Sequence, residues 1–354
     1  MKENNFCGYT IGTDAFNEIP KICSTLGKRV LIIGGETALS KSIDKLSRTI
    51  GGQFEIADTV IYGKECYSAR MHELCGKYAE SDIDFVIGVG GGKALDTAKG
   101  TAFLLGRPVV TIPTIASTCA ASSAMSVVYT ENHIFEGFWH YEKPAYHCFI
   151  DTSIIAAAPI KYLRAGIGDT LAKYYEVEFS ARGAKKSFSD EMALSVSRMC
   201  NAPLFADARE SLDDCRTGKI TDALENVILI ILISTGMVSM MINEKFNGAA
   251  AHALFYGLTN LDGFEEKFLH GDVVGYASIV QLMLDGKTDE AIKLKGFLKD
   301  IGIETTLAER GIIPERHAFD KVLSSAIADP DMEVIPYKIT EDMLFDAIIK
   351  TESL

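Results

Sequence analysis

Asp84 to Lys99 reads DFVIGVGGGKALDTAK. A β-branched run from Asp84 to Gly88 ends in glycine, passes through Gly90, Gly91 and Gly92, and enters a helical pattern near Lys93. The stretch therefore reads as strand, tight turn and helix. Arg29 to Gly35 (RVLIIGG) and Val109 to Ile112 (VVTI) have the same character and also end in Gly or Pro. Strands alternating with helical segments predict βαβ units and a largely parallel sheet, with ligands beyond the carboxyl ends of the strands. After about Asp151 the β-branched runs largely stop. From Ile167–Ala181 through Glu341–Ile349 the chain is rich in Ala, Leu, Ile and Met at helical spacing. The fold predicted is an α/β domain over 1–155 followed by an all-α domain over 156–354. No repeat or long linker separates the halves, so a cleft between them is the expected active site.

The length of 354 residues supports two domains at roughly 150 residues each. With 47% hydrophobic and 23% charged residues the chain is expected to be globular rather than disordered. Its 35 Lys and Arg against 48 Asp and Glu give a net charge of −13, which repels phosphate backbones and anionic lipid. No nucleic-acid or membrane partner is expected. The eight cysteines are scattered without a Cys-x-x-Cys pair, the pattern of thiols in a reducing cytoplasm. The opening MKENNFCGYT has no apolar core of a signal peptide. The charge-free stretch Val227 to Ile242 has 16 residues, short of the roughly 20 of a membrane span, and predicts a buried core helix.

Two loops carry candidate chemistry. The glycine loop matches neither standard phosphate motif: Lys93 stands where G-x-G-x-x-G needs its last glycine, and Ala94 where the Walker pattern needs Ser or Thr. Its physics still favours an anion. Glycines let the backbone approach a pyrophosphate, and the helix behind them offers N–H donors. The second loop, Thr111 to Ala124, is rich in small hydroxyl residues. Such residues suit close nucleotide contact, and equally a solvated turn.

The motifs GGGKALDTAK, PTIASTCAASSAMSVVYT, AGIGDTLAKYYE, GAAAHAL and LHGDVVGY, in this order, resemble the glycerol dehydrogenase branch of the iron-containing alcohol dehydrogenase superfamily, relatives of dehydroquinate synthase. The resemblance implies a dehydroquinate synthase-like fold whose first domain binds NAD(P) and whose helical domain holds the metal. It implies a metal-dependent oxidation of the CH–OH group of a small polyol or alcohol, in a cytoplasmic homo-oligomer. Asp169, His252 and His270 are the implied ligands of one divalent ion, zinc first, iron or nickel as alternatives; two imidazoles and a carboxylate leave positions open for a substrate oxygen. His72, His133, His140, His147 and His317 match no ligand motif. Gly91, Gly92, Lys93 and Asp96 are implied at the pyrophosphate, and Thr114, Ser117, Ser123, Met125 and Tyr129 along the nucleotide. Glu36, after Gly34 and Gly35, is placed to accept from the adenosine ribose and to favour NAD over NADP. The family's acidic residue also aligns one position earlier, at Gly35, and a helix-starting surface Glu is the other reading of Glu36.

Two positions depart from glycerol dehydrogenases. Cys119 stands where they carry Asp in STDA, and Phe255 where a second His often follows the first histidine ligand. Both changes remove polar handles for a polyol. Cys119 and the sequence around it resemble hydroxycarboxylate dehydrogenases, which interconvert 2-oxo and 2-hydroxy acids. A nucleophilic Cys119 has no base paired with it in sequence, so a small apolar pocket lining is the expectation. The remaining alternatives are a dehydroquinate synthase-like lyase, a glycerol-1-phosphate dehydrogenase and a non-catalytic regulator. The first two need a cationic phosphate pocket, and no dense Lys/Arg cluster lies near the three ligand positions in sequence.

Overall fold

The computed structural model describes residues 5–131 and 135–354, so His133 lies outside the described residues. The chain divides into two compact units, one of Met1–Pro159 with Asp214–Met240, the other of Ile160–Asp213 with Met241–Leu354.

The first unit is built on six parallel strands: β1 (Gly8–Ile11), β2 (Arg29–Gly34), β3 (Glu55–Ile61), β4 (Phe85–Gly90), β5 (Val109–Pro113) and β8 (His147–Ile150), in the order β1-β8-β5-β4-β2-β3. Alternation decides which face each residue serves. Val30 and Ile32 of β2 and Phe85, Ile87 and Val89 of β4 pack with Leu39, Leu46 and Ile50 of the helix Glu36–Ile50. Leu31, Ile33 and Val86 point the other way, onto Leu74 and Tyr78 of Ser68–Tyr78 and Ala98 and Ala102 of Gly92–Leu105. Gly88 permits the last contact, since a Cβ there would stand 2.7 Å from the Ala98 Cβ. A separate hairpin, β6 (Met125–Tyr129) with β7 (Phe135–His140), pairs antiparallel.

The segment Asp214–Met240, expected with the helical domain, belongs to the first unit. The Ser122 hydroxyl donates to the Leu232 carbonyl inside a π-turn at Ile230–Ser234, and Gly236 packs directly on Ser122. Thr221 caps the segment's start, so helix runs over Asp222–Met241, 20 residues rather than the 16 of the apolar stretch. By length and composition this helix would cross a membrane. However, 61% of its most apolar window is buried within the protein, as a core helix requires.

In the second unit three helices matter for the site: Lys161–Ser180, Ala250–Leu258 and His270–Leu284. They pack through a core that includes Ala172, Leu254, Phe255, Val273 and Tyr276.

Candidate active site

In the first unit the chain runs from β2 outward to β3, then returns past β2 to β4 and β5, so strand order reverses between β2 and β4. A crevice beyond the carboxyl ends of strands at such a reversal is where open α/β sheets bind ligands. Here the two edges are glycine. The Gly35 N–H donates to the Val89 carbonyl at 3.2 Å, and a Cβ at Gly34 would stand 2.7 Å from that oxygen. Gly90 has φ +149°, a conformation that L side chains rarely adopt. Gly91 caps the helix Gly92–Leu105, whose first N–H groups have no partner within the helix. The result is a backbone cradle of donors, with the Ile115 side chain packed over Gly91 and the Thr118 hydroxyl near Gly92.

The nucleotide residues expected from sequence divide here. Thr114 lies at the cradle, its N–H bonded to the Gly90 carbonyl at 3.0 Å, and Glu36 is the exposed first residue of the helix after β2. Ser117 is half-buried in the same loop as Thr114. The Lys93 ammonium is taken by Glu65, which the sequence did not single out. Asp96 is buried: Oδ1 sits 2.9 Å from Lys99 Nζ and Oδ2 accepts from the Val127 N–H at 3.0 Å. Burial raises its carboxyl above the ordinary range against the pull of Lys99. Lys99 also donates to the Met125 and Ser123 carbonyls. Asp96, Ser123 and Met125 thus form an internal tie between the helix and β6, while Tyr129 N–H bonds the Cys66 carbonyl at the far end of that strand.

The metal-ligand candidates meet in the second unit. Asp169 lies within Lys161–Ser180, His252 early in Ala250–Leu258 and His270 at the start of His270–Leu284. Asp169 Oδ1 is 3.3 Å from His270 Nε2 and 3.6 Å from His252 Nε2, and the three ligand atoms lie within 4.8 Å of one another. Tetrahedral ligands at roughly 2.1 Å from zinc stand about 3.4 Å apart. The donor set and its spacing therefore fit one divalent ion. His270 is the most open of the three at 34% side-chain exposure, against 12% for Asp169, so a substrate oxygen would approach from its side.

Two devices bring these groups together. A Cβ at Gly271 would lie 1.9 Å from the Ala165 carbonyl oxygen, and one at Gly168 2.3 Å from the Gly271 oxygen. The helices carrying Asp169 and His270 thus touch backbone to backbone one residue from each candidate ligand. Arg164 clasps Asp272 beside this contact, at 2.5 and 3.2 Å. The second device is Glu176, seven residues after Asp169 and so on the same helix face. It is fully buried; Oε1 accepts from the Ala249 N–H at 3.0 Å and the His252 N–H at 2.8 Å, and Oε2 lies 2.5 Å from His252 Nδ1. Burial would lower the His252 imidazole, but the charges and hydrogen bonds of Glu176 and Asp169 outweigh it and raise it to about 10 in the metal-free protein. Burial would likewise raise Asp169, yet its bonds to His252 and His270 hold it below the ordinary carboxylate range. Glu176 closes the AGIGDTLAKYYE motif, yet the sequence reading gave it no role; its spacing of seven from Asp169 is the signal that could have found it.

Phe255 is buried with its ring edge-on to His270, centroids 4.4 Å apart at 83°. Phe255 thus packs against one of the candidate ligands. Cys119 is a half-buried thiol opening a short 3-10 turn, Cys119–Ala121, in the first unit. The remaining described histidines lie in other surroundings: His72 against Trp139, His140 against Phe138, His147 bonded to Thr10, and His317 exposed beside Asp320.

The chain is similar to known dehydrogenases. The family described as iron-containing alcohol dehydrogenase matches residues 8–152. A glycerol dehydrogenase of Thermotoga maritima is 33% identical over 319 residues, covering 86% of this chain and 83% of that protein. Hydroxycarboxylate dehydrogenase A of Escherichia coli is 33% identical over 328 residues, covering 92% and 90%. The crystal structure of glycerol dehydrogenase from Schizosaccharomyces pombe superposes with a TM-score of 0.89 at 27% identity, over 100% of this chain and 91% of that one.

Proposed function

Since the chain belongs to the iron-containing alcohol dehydrogenase family, we propose that it is an NAD-linked, metal-dependent oxidoreductase acting on the CH–OH group of a small polyol or alcohol. The observation that carries the reading is the convergence of Asp169, His252 and His270 at the spacing of a single ion's ligands. A divalent ion held there, zinc first with iron or nickel as alternatives, would supply Lewis acidity toward the substrate oxygen. NAD in the glycine cradle would supply the hydride acceptor.

The chain's own residues do the rest. Asp169, held as a carboxylate, and the two Nε2 atoms present three donors to one point. Phe255 packs edge-on against His270. Gly34, Gly90 and Gly91 keep side chains out of the crevice, and the N–H groups at the start of Gly92–Leu105 face an anion there. Lys93 and Lys99 are each paired with a carboxylate, and Glu36 faces solvent beside the cradle. These features favour NAD over a cofactor with a 2′-phosphate.

A 2-oxo/2-hydroxy acid substrate is the second reading, supported by Cys119 and Phe255, which remove the carboxylate and imidazole that would hold a polyol. A phosphorylated substrate is disfavoured: Arg164 and Lys173, on the helix of Asp169, are engaged by Asp272 and Asn247. The deciding experiment assays glycerol, propane-1,2-diol, 2-oxobutanoate and 2-hydroxybutanoate with NAD(H) and NADP(H), after loading with Zn²⁺, Fe²⁺ or Ni²⁺. Metal-dependent turnover with NAD(H) is expected, and it is lost in His252→Ala. Turnover unaffected by chelation and by His252→Ala would overturn the assignment.

A further inference from the structure

Metal ligation through His252 Nε2 requires that this nitrogen carry no proton, and the structure contains a group placed to enforce that. Glu176 is an acceptor on all its bonds: two backbone N–H groups occupy Oε1 and the His252 ring occupies Oε2. A carboxylate with no proton of its own can meet only a donor at Nδ1. Its charge is balanced locally by Lys173, whose ammonium is tied to the Asn247 carbonyl at 2.6 Å and its side-chain oxygen at 3.0 Å. Glu176, the backbone of Ala249 to His252 and Lys173 therefore form one buried frame around the imidazole.

We propose that Glu176 is the positioning residue of the metal site: it holds the His252 proton on Nδ1, so that Nε2 is the ligand, and fixes the ring plane toward Asp169. The inference rests on the reading of Asp169, His252 and His270 as metal ligands. Hydrogen-bond partners behind a ligating histidine change metal affinity by roughly 10- to 100-fold when removed.

Glu176→Gln tests it with almost no change in size. Seating the amide oxygen against the Ala249 and His252 N–H groups turns the NH₂ toward Nδ1, which must then accept and send the ring proton to Nε2. Seating it the other way sets the NH₂ against two backbone donors. The first arrangement opposes ligation directly, and the second permits it only at the cost of two backbone donors left facing an NH₂. Apoprotein titrated with Zn²⁺ against a chromophoric chelator should show at least tenfold weaker binding in Glu176→Gln. Its rise in Tm on adding Zn²⁺ should shrink in step, whereas a merely structural role would lower the apo and zinc-bound Tm together. A second measurement needs no variant: in zinc-loaded wild type labelled with ¹⁵N-histidine, His252 should show its proton on Nδ1. Zinc affinity in Glu176→Gln within threefold of wild type, or a proton on Nε2, overturns the role of Glu176. If His252→Ala also binds zinc like wild type, the ligand assignment itself has failed; loss of zinc there with normal Glu176→Gln binding isolates the failure to this inference.

Discussion

Gly271→Ala would act on the site without touching a ligand. The new Cβ lies 1.9 Å from the Ala165 carbonyl oxygen, about 1.5 Å short of an ordinary contact of roughly 3.4 Å. The obstacle is backbone, so neither side can swing away and the helices Lys161–Ser180 and His270–Leu284 must separate. Asp169 Oδ1 and His270 Nε2 now stand 3.3 Å apart; a retreat of about 1 Å takes them beyond the roughly 3.4 Å that one tetrahedral ion bridges. Overpacking of this kind costs about 1 to 3 kcal/mol of stability, and misplacement by about 1 Å costs on the order of 100-fold in rate. Gly168→Ala, with its Cβ 2.3 Å from the Gly271 oxygen, should be nearly as severe. Gly275→Ala should be mild, because its nearest neighbour, the Gly168 Cα, is 3.3 Å away. The assay is thermal unfolding of the apoproteins, then zinc affinity by chelator competition and kcat/KM of the loaded enzymes. Zinc affinity in Gly271→Ala within threefold of wild type, or Gly275→Ala as damaging as Gly271→Ala, would refute the claim that this backbone contact sets the ligand spacing.

Gly91→Ala meets only the end of the Ile115 side chain, at 2.6 Å, so Tm should change little while the Kd for NAD by calorimetry rises about tenfold; equal affinity would leave the loop a mere turn. Cys119→Asp should move kcat/KM toward glycerol and away from 2-oxobutanoate by about 1 to 3 kcal/mol if one charge-assisted hydrogen bond is regained; an equal fall for both substrates would contradict it. Burial, then the charge of Glu176, raises the Asp331 carboxyl from 3.8 to about 6. The folded protein therefore holds the extra proton between about pH 4 and 6, and the stability this supplies is full below pH 4 and lost as pH rises through 6. Metal-free Asp331→Asn should match wild type near pH 4 and exceed it at pH 7 by about 1 to 3 kcal/mol; a gain that does not vary with pH would exclude this cause.

The strands legible in the sequence were those buried on both faces. β2, β4 and β5 lie side by side within the sheet, where both faces demand apolar residues and the run becomes continuous. β3 is the outermost strand and reads EIADTVI with mixed exposure, so no period stood out. β1 and β8 have four residues each, too few for a pattern, and β6 and β7 follow the hydroxyl-rich loop Thr111–Ala124, after which no strand was read. At the site, Asp169, His252 and His270 were reachable only through resemblance, because ligands that converge in space have no fixed spacing. Asp96, implied by the resemblance at the pyrophosphate, is buried beside Lys99 and the β6 backbone, a pairing that no motif spacing announces. Glu65 lies in no quoted motif and Glu176 closes one without a role of its own, since a group that orients another is recognised by what it touches.

The assignment of Asp214–Met240 to the first unit has a consequence for how the protein is made. The chain completes β8 at Ile150, builds Ile160–Asp213 for the second unit, and only then supplies the helix that Ser122 and Gly236 dock to the first. On the ribosome, the turn Cys119–Ala121 and Ser122 must therefore wait for their partner helix until Met240 has emerged. The interval leaves the nascent chain open to chaperones and to aggregation. Cutting the gene after Pro159 would make that wait permanent, so the two units are not independent modules to be expressed apart.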